Sequence, residues 1–152
     1  LIGNKIYVIA GLKLTSDAPV FYDSLHIYDI QSNTWETGQS IHTTLSVAGI
    51  DTLNGKIYAA GGGTSGWNIV NSLYVYDPEL DEWTEKAPMN ISRRAPRAQS
   101  WNGKFYVFGG YSGSAWSVAN SIEVYDPEKD EWTFLTNPNT TRKFMAMSVL
   151  QN

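Results

Sequence analysis

A threefold internal repeat limits this chain more than any other feature of it. Lys5-Ile6-Tyr7-Val8-Ile9-Ala10-Gly11 returns as Lys56-Ile57-Tyr58-Ala59-Ala60-Gly61-Gly62 and again as Lys104-Phe105-Tyr106-Val107-Phe108-Gly109-Gly110. A second signature follows each run. It reads Ser24-Leu25-His26-Ile27-Tyr28-Asp29 leading to Trp35, then Ser72-Leu73-Tyr74-Val75-Tyr76-Asp77-Pro78 leading to Trp83, then Ser121-Ile122-Glu123-Val124-Tyr125-Asp126-Pro127 leading to Trp132. Three copies fill the chain.

Spacing separates frame from loop. From the Tyr of Tyr-Asp to the Trp is seven residues in every copy (28 to 35, 76 to 83, 125 to 132), and from Trp to the next Asn-Gly glycine is twenty both times (35 to 55, 83 to 103). From the first tyrosine of a copy to its Tyr-Asp tyrosine the spacing is instead 21, 18 and 19 (7 to 28, 58 to 76, 106 to 125). Length variation is confined to one loop per repeat, where binding residues tend to be placed on a rigid frame.

Each copy reads as four short strands, a to d. Strand a is Leu45-Ser46-Val47-Ala48-Gly49-Ile50 in one copy, and Asn54-Gly55 supplies the left-handed dihedrals of a two-residue hairpin after it. Strand b is the Lys-Ile-Tyr run, apolar on both faces as stacked sheets require, and the paired glycines that end it mark a close approach that leaves no room for a Cβ. Strand c ends at Tyr-Asp, an acidic turn follows, and strand d carries the Trp. No segment has a helical period.

Composition agrees with an all-β chain. Of 152 residues 42% are hydrophobic and 17% charged, with thirteen Gly, nine Tyr, six Trp and three Met, a turn-rich and aromatic balance poor in helix formers. No apolar run approaches the roughly 18 residues of a membrane span. A net charge of -4 argues against general affinity for nucleic acid or acidic membranes. The absence of Cys excludes disulfides, thiolate zinc sites and cysteine nucleophiles, and leaves the compartment open. The chain opens on Leu1-Ile2-Gly3 without an initiating Met, the start expected of a processed, excised or engineered chain.

The Gly-Gly pair, the Tyr-Asp-Pro and the Trp seven residues after the Tyr resemble the kelch repeat, one four-stranded blade of a β-propeller. The resemblance covers essentially the whole chain. The first copy departs from it, with Ala10-Gly11 for Gly-Gly and Asp29-Ile30 for Asp-Pro, so its variable loop is expected to leave strand b differently. The fold class that the resemblance implies is all-β, three four-stranded antiparallel blades, as half of a six-bladed propeller or a fragment of a larger one. The expected bounds are about 4–38 for blade 1, completed by a strand at 142–150, about 43–88 for blade 2 and about 93–137 for blade 3. Propellers close with typically four to eight blades. Because residues 142–150 read as a strand a lacking its b, while the chain starts at a strand b, the expectation is a homodimer closing a six-bladed ring if the chain is complete.

Chemistry is sparse. His26 and His42 have no second ligand type beside them at metal spacing, and neither a metal nor a cofactor is expected. Asp81-Glu82 and Asp130-Glu131 recur at the same turn in successive blades, whereas catalysis needs one asymmetric pair, so they read as solvated turn residues. Asn90-Ile91-Ser92 and Asn139-Thr140-Thr141 are glycosylation-type triplets of low specificity. The repeated Tyr and Trp read as the groups that hold blades together.

Trp67, Tyr111 and Trp116 lie in variable loops, outside the repeat pattern. The four arginines, Arg93, Arg94, Arg97 and Arg142, cluster at the beginnings of strands a, after the d-to-a loop, while eight of the fifteen acids sit in or beside c-to-d turns. In an antiparallel blade these belong to opposite ends, one acidic and the other basic and aromatic. Trp67, Trp116, Tyr111, Arg93, Arg94, Arg97 and Arg142 are therefore the candidate partner-binding residues, for a protein, an acidic peptide or an anionic glycan. The opposing reading is that the first Arg of a strand a belongs to the frame and pairs with backbone or acid. The family resemblance implies a non-catalytic protein-interaction module. Its rivals are a sugar-active enzyme resembling the kelch-type sialic acid mutarotases, and a scaffold without an evolved ligand.

Overall fold

The computed structural model describes residues 1–113 and 117–136, and among these the elements are β-strands apart from one short 3-10 turn, Ser65–Trp67. The first blade holds β1 (Lys5–Lys13), β2 (Val20–Asp29) and β3 (Thr34–Gly38) in that spatial order. The second holds β4 (Gly49–Leu53), β5 (Lys56–Ala60), β6 (Leu73–Asp77) and β7 (Glu82–Lys86), again in chain order. The third repeats this with β8 (Arg97–Trp101), β9 (Lys104–Phe108), β12 (Ile122–Asp126) and β13 (Glu131–Leu135). A two-stranded ribbon, β10 (Tyr111–Ser112) and β11 (Ser117–Val118), stands on the third blade between strands b and c. All pairings are antiparallel. The strand expected at 142–150, and with it the completion of the first blade, lies outside the described residues.

Two local expectations are refined. Strand a of the second blade begins at Gly49, not Leu45. Val47 adopts φ 49°, which breaks an extended run, and Ser46 instead bridges to Gly63; Ala95 has φ 52° at the corresponding place before β8. The Asn-Gly hairpins form as their chemistry dictates, with φ of 52° and 75° at Asn54 and Gly55 and 48° and 73° at Asn102 and Gly103. The glycine pair after β5 is required by backbone: a Cβ on Gly61 would come within 2.5 Å of the Arg93 carbonyl oxygen, and one on Gly62 within 2.7 Å of that of Ser46.

Blades stack through strands that are apolar on both faces. Leu25 and Ile27 of the first blade pack against Ile57 and Tyr76 of the second, all buried. Tyr58, Leu73 and Val75, on the other side of that blade, pack against Phe105, Val107 and Tyr125 of the third. Removing a ring as enclosed as Phe105 would cost about 3–5 kcal/mol.

Polar bonds set the register of this stacking, and they come from the acidic turns. The Asp81 carboxylate accepts the Tyr76 hydroxyl at 2.7 Å and the Gln39 backbone N–H of the preceding blade at 2.8 Å, while the Trp83 indole N–H donates to the Gln39 carbonyl at 2.8 Å. The next junction repeats it, with Asp130 accepting Tyr125 at 2.6 Å and the Ala87 N–H at 2.9 Å, and Trp132 donating to the Ala87 carbonyl at 2.7 Å. Both amide groups of one residue are thus held by the incoming blade. Asp81 and Asp130 are inter-blade clamps, which corrects their reading as solvated turn residues.

These bonds favour the charged carboxylate. The Gln39 N–H and the Tyr76 hydroxyl hold Asp81 below its ordinary value of 3.8, and Tyr125 and the Ala87 N–H do the same for Asp130. A native value below the unfolded one means the stabilisation is present above pH 3.8 and is lost as pH falls through the lowered native value. Thermal melting followed by circular dichroism is therefore expected to weaken in acid below that pH. The pair of substitutions Asp81→Asn and Asp130→Asn should flatten this dependence, and an unchanged acid slope would show that other carboxylates carry it.

Candidate functional site

The ends of the blades differ as their loops do. At one end lie the a-to-b hairpins and acidic turns, and part of their charge is paired locally. Lys56 and Lys104 reach Asp77 and Asp126 at 2.7 and 2.6 Å, and Lys5 pairs with Glu36. Two clefts open here between blades, of about 310 Å³ beside Lys56, Tyr58 and Tyr125 and about 190 Å³ beside Lys5, Tyr7 and Tyr76. Their linings share most of their repeat positions in successive copies, so both are products of blade packing.

The other end is individual in every blade. In the first, β1 runs on past an irregularity between Ile9 and Gly11, and β2 starts early, so the variable loop becomes a hairpin arm with Leu12 opposite Phe21 and Lys13 opposite Val20. Ala10, at the position of the missing glycine, takes φ 52° at this irregularity. The second blade uses the 3-10 turn, tied down by the Ser65 N–H on the Thr44 hydroxyl oxygen and the Asn68 amide on the Ser65 carbonyl, both at 3.1 Å. The third uses the β10/β11 ribbon.

Trp67 joins these loops. Its ring meets Phe21 of the arm edge-on at 5.4 Å and 80°, and the Arg94 guanidinium lies 4.2 Å over its face. Arg94 is in turn bound to the ribbon, its N–H on the Tyr111 carbonyl at 2.8 Å and its carbonyl taking the Tyr111 N–H at 2.7 Å. Cation–π and edge-on contacts of this kind contribute about 0.5–1.5 kcal/mol each. Phe21, Trp67, Arg94 and Tyr111 therefore connect the variable loops of all three blades, with Trp67 still 40% exposed. Phe21 was missed in the sequence, although it meets the criterion that singled out Trp67, being an aromatic outside the repeat pattern.

The arginines divide. Arg93 is fully buried, which corrects its assignment as a partner-binding residue and favours the frame reading. Its guanidinium meets Glu123, also fully buried, at 3.0 Å, and donates to the Gly109 and Ser121 carbonyls at 2.9 and 2.8 Å. Glu123 takes in addition the backbone N–H and side-chain amide of Asn90 at 2.7 and 2.8 Å. Burial lowers the affinity of Arg93 for its proton and Glu123 opposes that. Arg94 is buried as well, its head covered by Trp67. Arg97, first residue of β8, is exposed. Trp116 and Arg142 lie outside the described residues, as does the triplet at 139–141.

His26 and His42 are exposed, and among the described residues no three potential ligands gather at metal distance. Asn90, first residue of the other triplet, has its side-chain amide on Glu123.

The second blade carries Leu45 and Tyr74 where the third has Arg93 and Glu123: the carbonyls of Leu45 and Arg93 accept the N–H of Gly11 and Gly62, and Tyr74 pairs with Ala59 as Glu123 does with Val107. The same site is thus filled once by an apolar pair and once by an ion pair. Arg93→Leu alone, which leaves Glu123 buried without its cation, is expected to cost about 3–5 kcal/mol in chemical denaturation. Arg93→Leu with Glu123→Tyr should recover a large part of it. A double variant no more stable than the single one would show that the ion pair is not interchangeable with its apolar counterpart.

Comparison with known proteins places this architecture. A family model described as the KLHDC2/KLHL20/DRC7 Kelch-repeats domain matches residues 1–152. No curated protein matches the chain. Among solved structures it is similar to one titled "Structure of YjhT", with a TM-score of 0.80 at 13% identity, over 94% of this chain and 52% of that one. The chain spans about half the length of the structure it matches, and at this identity the likeness is one of fold. Its three repeats, the stacked antiparallel sheets and the full-length family match identify the chain as a member of the kelch-repeat family, built of β-propeller blades.

Proposed function

We propose that this chain is a non-catalytic protein-interaction module that engages its partner through the end bearing the b-to-c and d-to-a loops. Kelch domains generally mediate protein interactions, which supports the class. The observation that carries the choice of face is the packing of Phe21, Trp67 and Arg94, which holds loops of separate blades together as one surface. Leu14, Val20 and Tyr22 of the arm, Val47 of the d-to-a loop and Trp67 are exposed there. Rigid aromatic anchors with apolar neighbours are what binding hot spots are made of. The opposite end repeats its residues from blade to blade and pairs Lys5, Lys56 and Lys104 with its own acids.

Burial of Arg93 and Arg94 shifts the expected partner chemistry. An acidic peptide or an anionic glycan needs an accessible guanidinium, and both of these are spent within the frame. A protein segment presenting an apolar side chain to Trp67, with Arg97 as a peripheral contact, suits the surface better. The sugar-active reading loses the same two cations, and following the interconversion of sialic acid anomers by NMR is expected to show no acceleration.

The test is selection from a displayed peptide library against the wild-type chain and variants. Trp67→Ala is expected to weaken selected ligands at least tenfold while costing about 1–2 kcal/mol of stability. Glu79→Lys, in an acidic turn, should leave them bound. Ligands that survive the first change and are lost with the second would move the binding surface to the other end.

A further inference from the structure

The tryptophans that join blades use their indole N–H groups within the frame, Trp83 on the Gln39 carbonyl at 2.8 Å and Trp132 on the Ala87 carbonyl at 2.7 Å. Trp67 does not. Its indole N–H meets no acceptor among the described residues, although the ring is held on two sides, by Phe21 at 5.4 Å and by the Arg94 guanidinium 4.2 Å over its face. A ring fixed in this way aims its donor in one direction.

The backbone beneath the ring is unusual too. Trp67 has φ 65°, a conformation rare for a bulky residue, and follows Gly66 at 76°. The turn enforces it. The Thr64 N–H donates to the Asn68 carbonyl at 2.9 Å, the Trp67 backbone N–H to the Thr64 carbonyl at 3.1 Å, and the Asn68 side-chain amide to the Ser65 carbonyl at 3.1 Å. Glycine or asparagine would adopt this backbone with less strain. The frame does not ask for a tryptophan here, since the first and third blades fill the same gap with an arm and a ribbon. Strain kept beneath an exposed ring whose donor has no use within the fold points to a binding group.

We infer that the Trp67 indole N–H donates to a backbone carbonyl of the bound protein segment, an apolar side chain of that segment packing on the exposed part of the ring. This rests on the reading of this end as the binding surface. The indole has a single donor and no acceptor, so it suits one lone oxygen. In an extended segment every residue carries a carbonyl beside a side chain, so one short stretch supplies both contacts. A carboxylate would need a cation within its reach, and the Arg94 guanidinium is buried beneath the indole. Once the segment covers the ring, water no longer reaches the N–H, and a segment without a carbonyl at that point leaves the donor unmet.

The probes are peptides selected from the displayed library on the wild-type chain and then synthesised. Trp67→Phe keeps a ring between Phe21 and Arg94 and removes the donor. It is expected to weaken these peptides about fivefold, against about tenfold or more for Trp67→Ala, with an unchanged circular dichroism spectrum. In nitrogen–proton correlation spectra the indole resonance that Trp67→Phe lacks should move downfield when peptide is added, while those of Trp83 and Trp132 stay in place. Replacing the peptide bonds one at a time by esters, whose carbonyls are weaker acceptors, should weaken binding to the wild type at one position, and that loss should vanish on Trp67→Phe. Peptides weakened by Trp67→Ala and not by Trp67→Phe overturn the inference and leave the binding surface standing. Selected sequences that converge on Asp or Glu and are released by salt overturn it as well, because the acceptor is then a carboxylate. Peptides indifferent to both variants, or a library that yields none, overturn the binding surface and the inference with it.

Discussion

The structure depends on one recurring constraint, that each blade holds both backbone groups of a single residue in the blade before it. A two-sided apolar strand stacks on its neighbour at many angles and offsets, since hydrophobic attraction has no direction. The bonds of Asp81 and Trp83 to Gln39, and of Asp130 and Trp132 to Ala87, select one. They also settle amide groups just past the end of a strand, where no ladder partner remains to take them. This accounts for the fixed seven-residue interval between Tyr and Trp. The tyrosine braces the aspartate, the aspartate and indole meet the same target, and an inserted residue would separate them.

That constraint was legible only in part. The spacing, the strands and the stacking follow from residues repeated at equal intervals, and Tyr76, Trp83, Tyr125 and Trp132 make the inter-blade contacts expected of the repeated aromatics, whereas Tyr28 and Trp35 lie against each other on the first blade with Trp35 exposed. The aspartates were misjudged because an acidic pair in a turn has the same sequence whether it faces water or a neighbouring amide. Arg93 was misjudged for a related reason. Its partner, Glu123, stands thirty residues away at a position filled by His26 and Tyr74 in the other copies, so no periodicity marks the pair. The limits of strand a were hidden by Val47 and Ala95, ordinary residues at positive φ where the backbone passes close to Gly62 and Gly110, the glycines that end strand b of the same blade.

The Arg93–Glu123 pair also shows how far a copy departs from its neighbours without disturbing the frame. Leu45 and Tyr74 fill the same volume beside Ala59 with no charge. A buried ion pair adds little net stability over such an apolar pair, because desolvation offsets much of the attraction. What the polar version supplies is a definite set of bonds, from Arg93 to Gly109 and Ser121 and from Glu123 to Asn90, that orders the loop entering the third blade. Arg94 is thereby aimed at Trp67 from a loop whose course is determined.

Loop length is nearly free in such a frame, and this explains why individuality is concentrated at one end. The closure entropy of a flexible segment grows as about (3/2)RT ln n, so the difference between the longest and shortest Tyr-to-Tyr segments is on the order of 0.1 kcal/mol. The start of the loop is pinned in the same way in the first two blades, by Gly11 on the Leu45 carbonyl and by Gly62 on the Arg93 carbonyl, and its end runs into strand c. Between fixed ends, a hairpin arm, a 3-10 turn and a two-stranded ribbon are alternative fillings of one gap. At the other end the same freedom does not exist, because the turns there carry the aspartates that join the blades. Sequence change that would disrupt stacking at the acidic end only alters surface at the other, so the three copies of this chain differ in length where the frame least resists it.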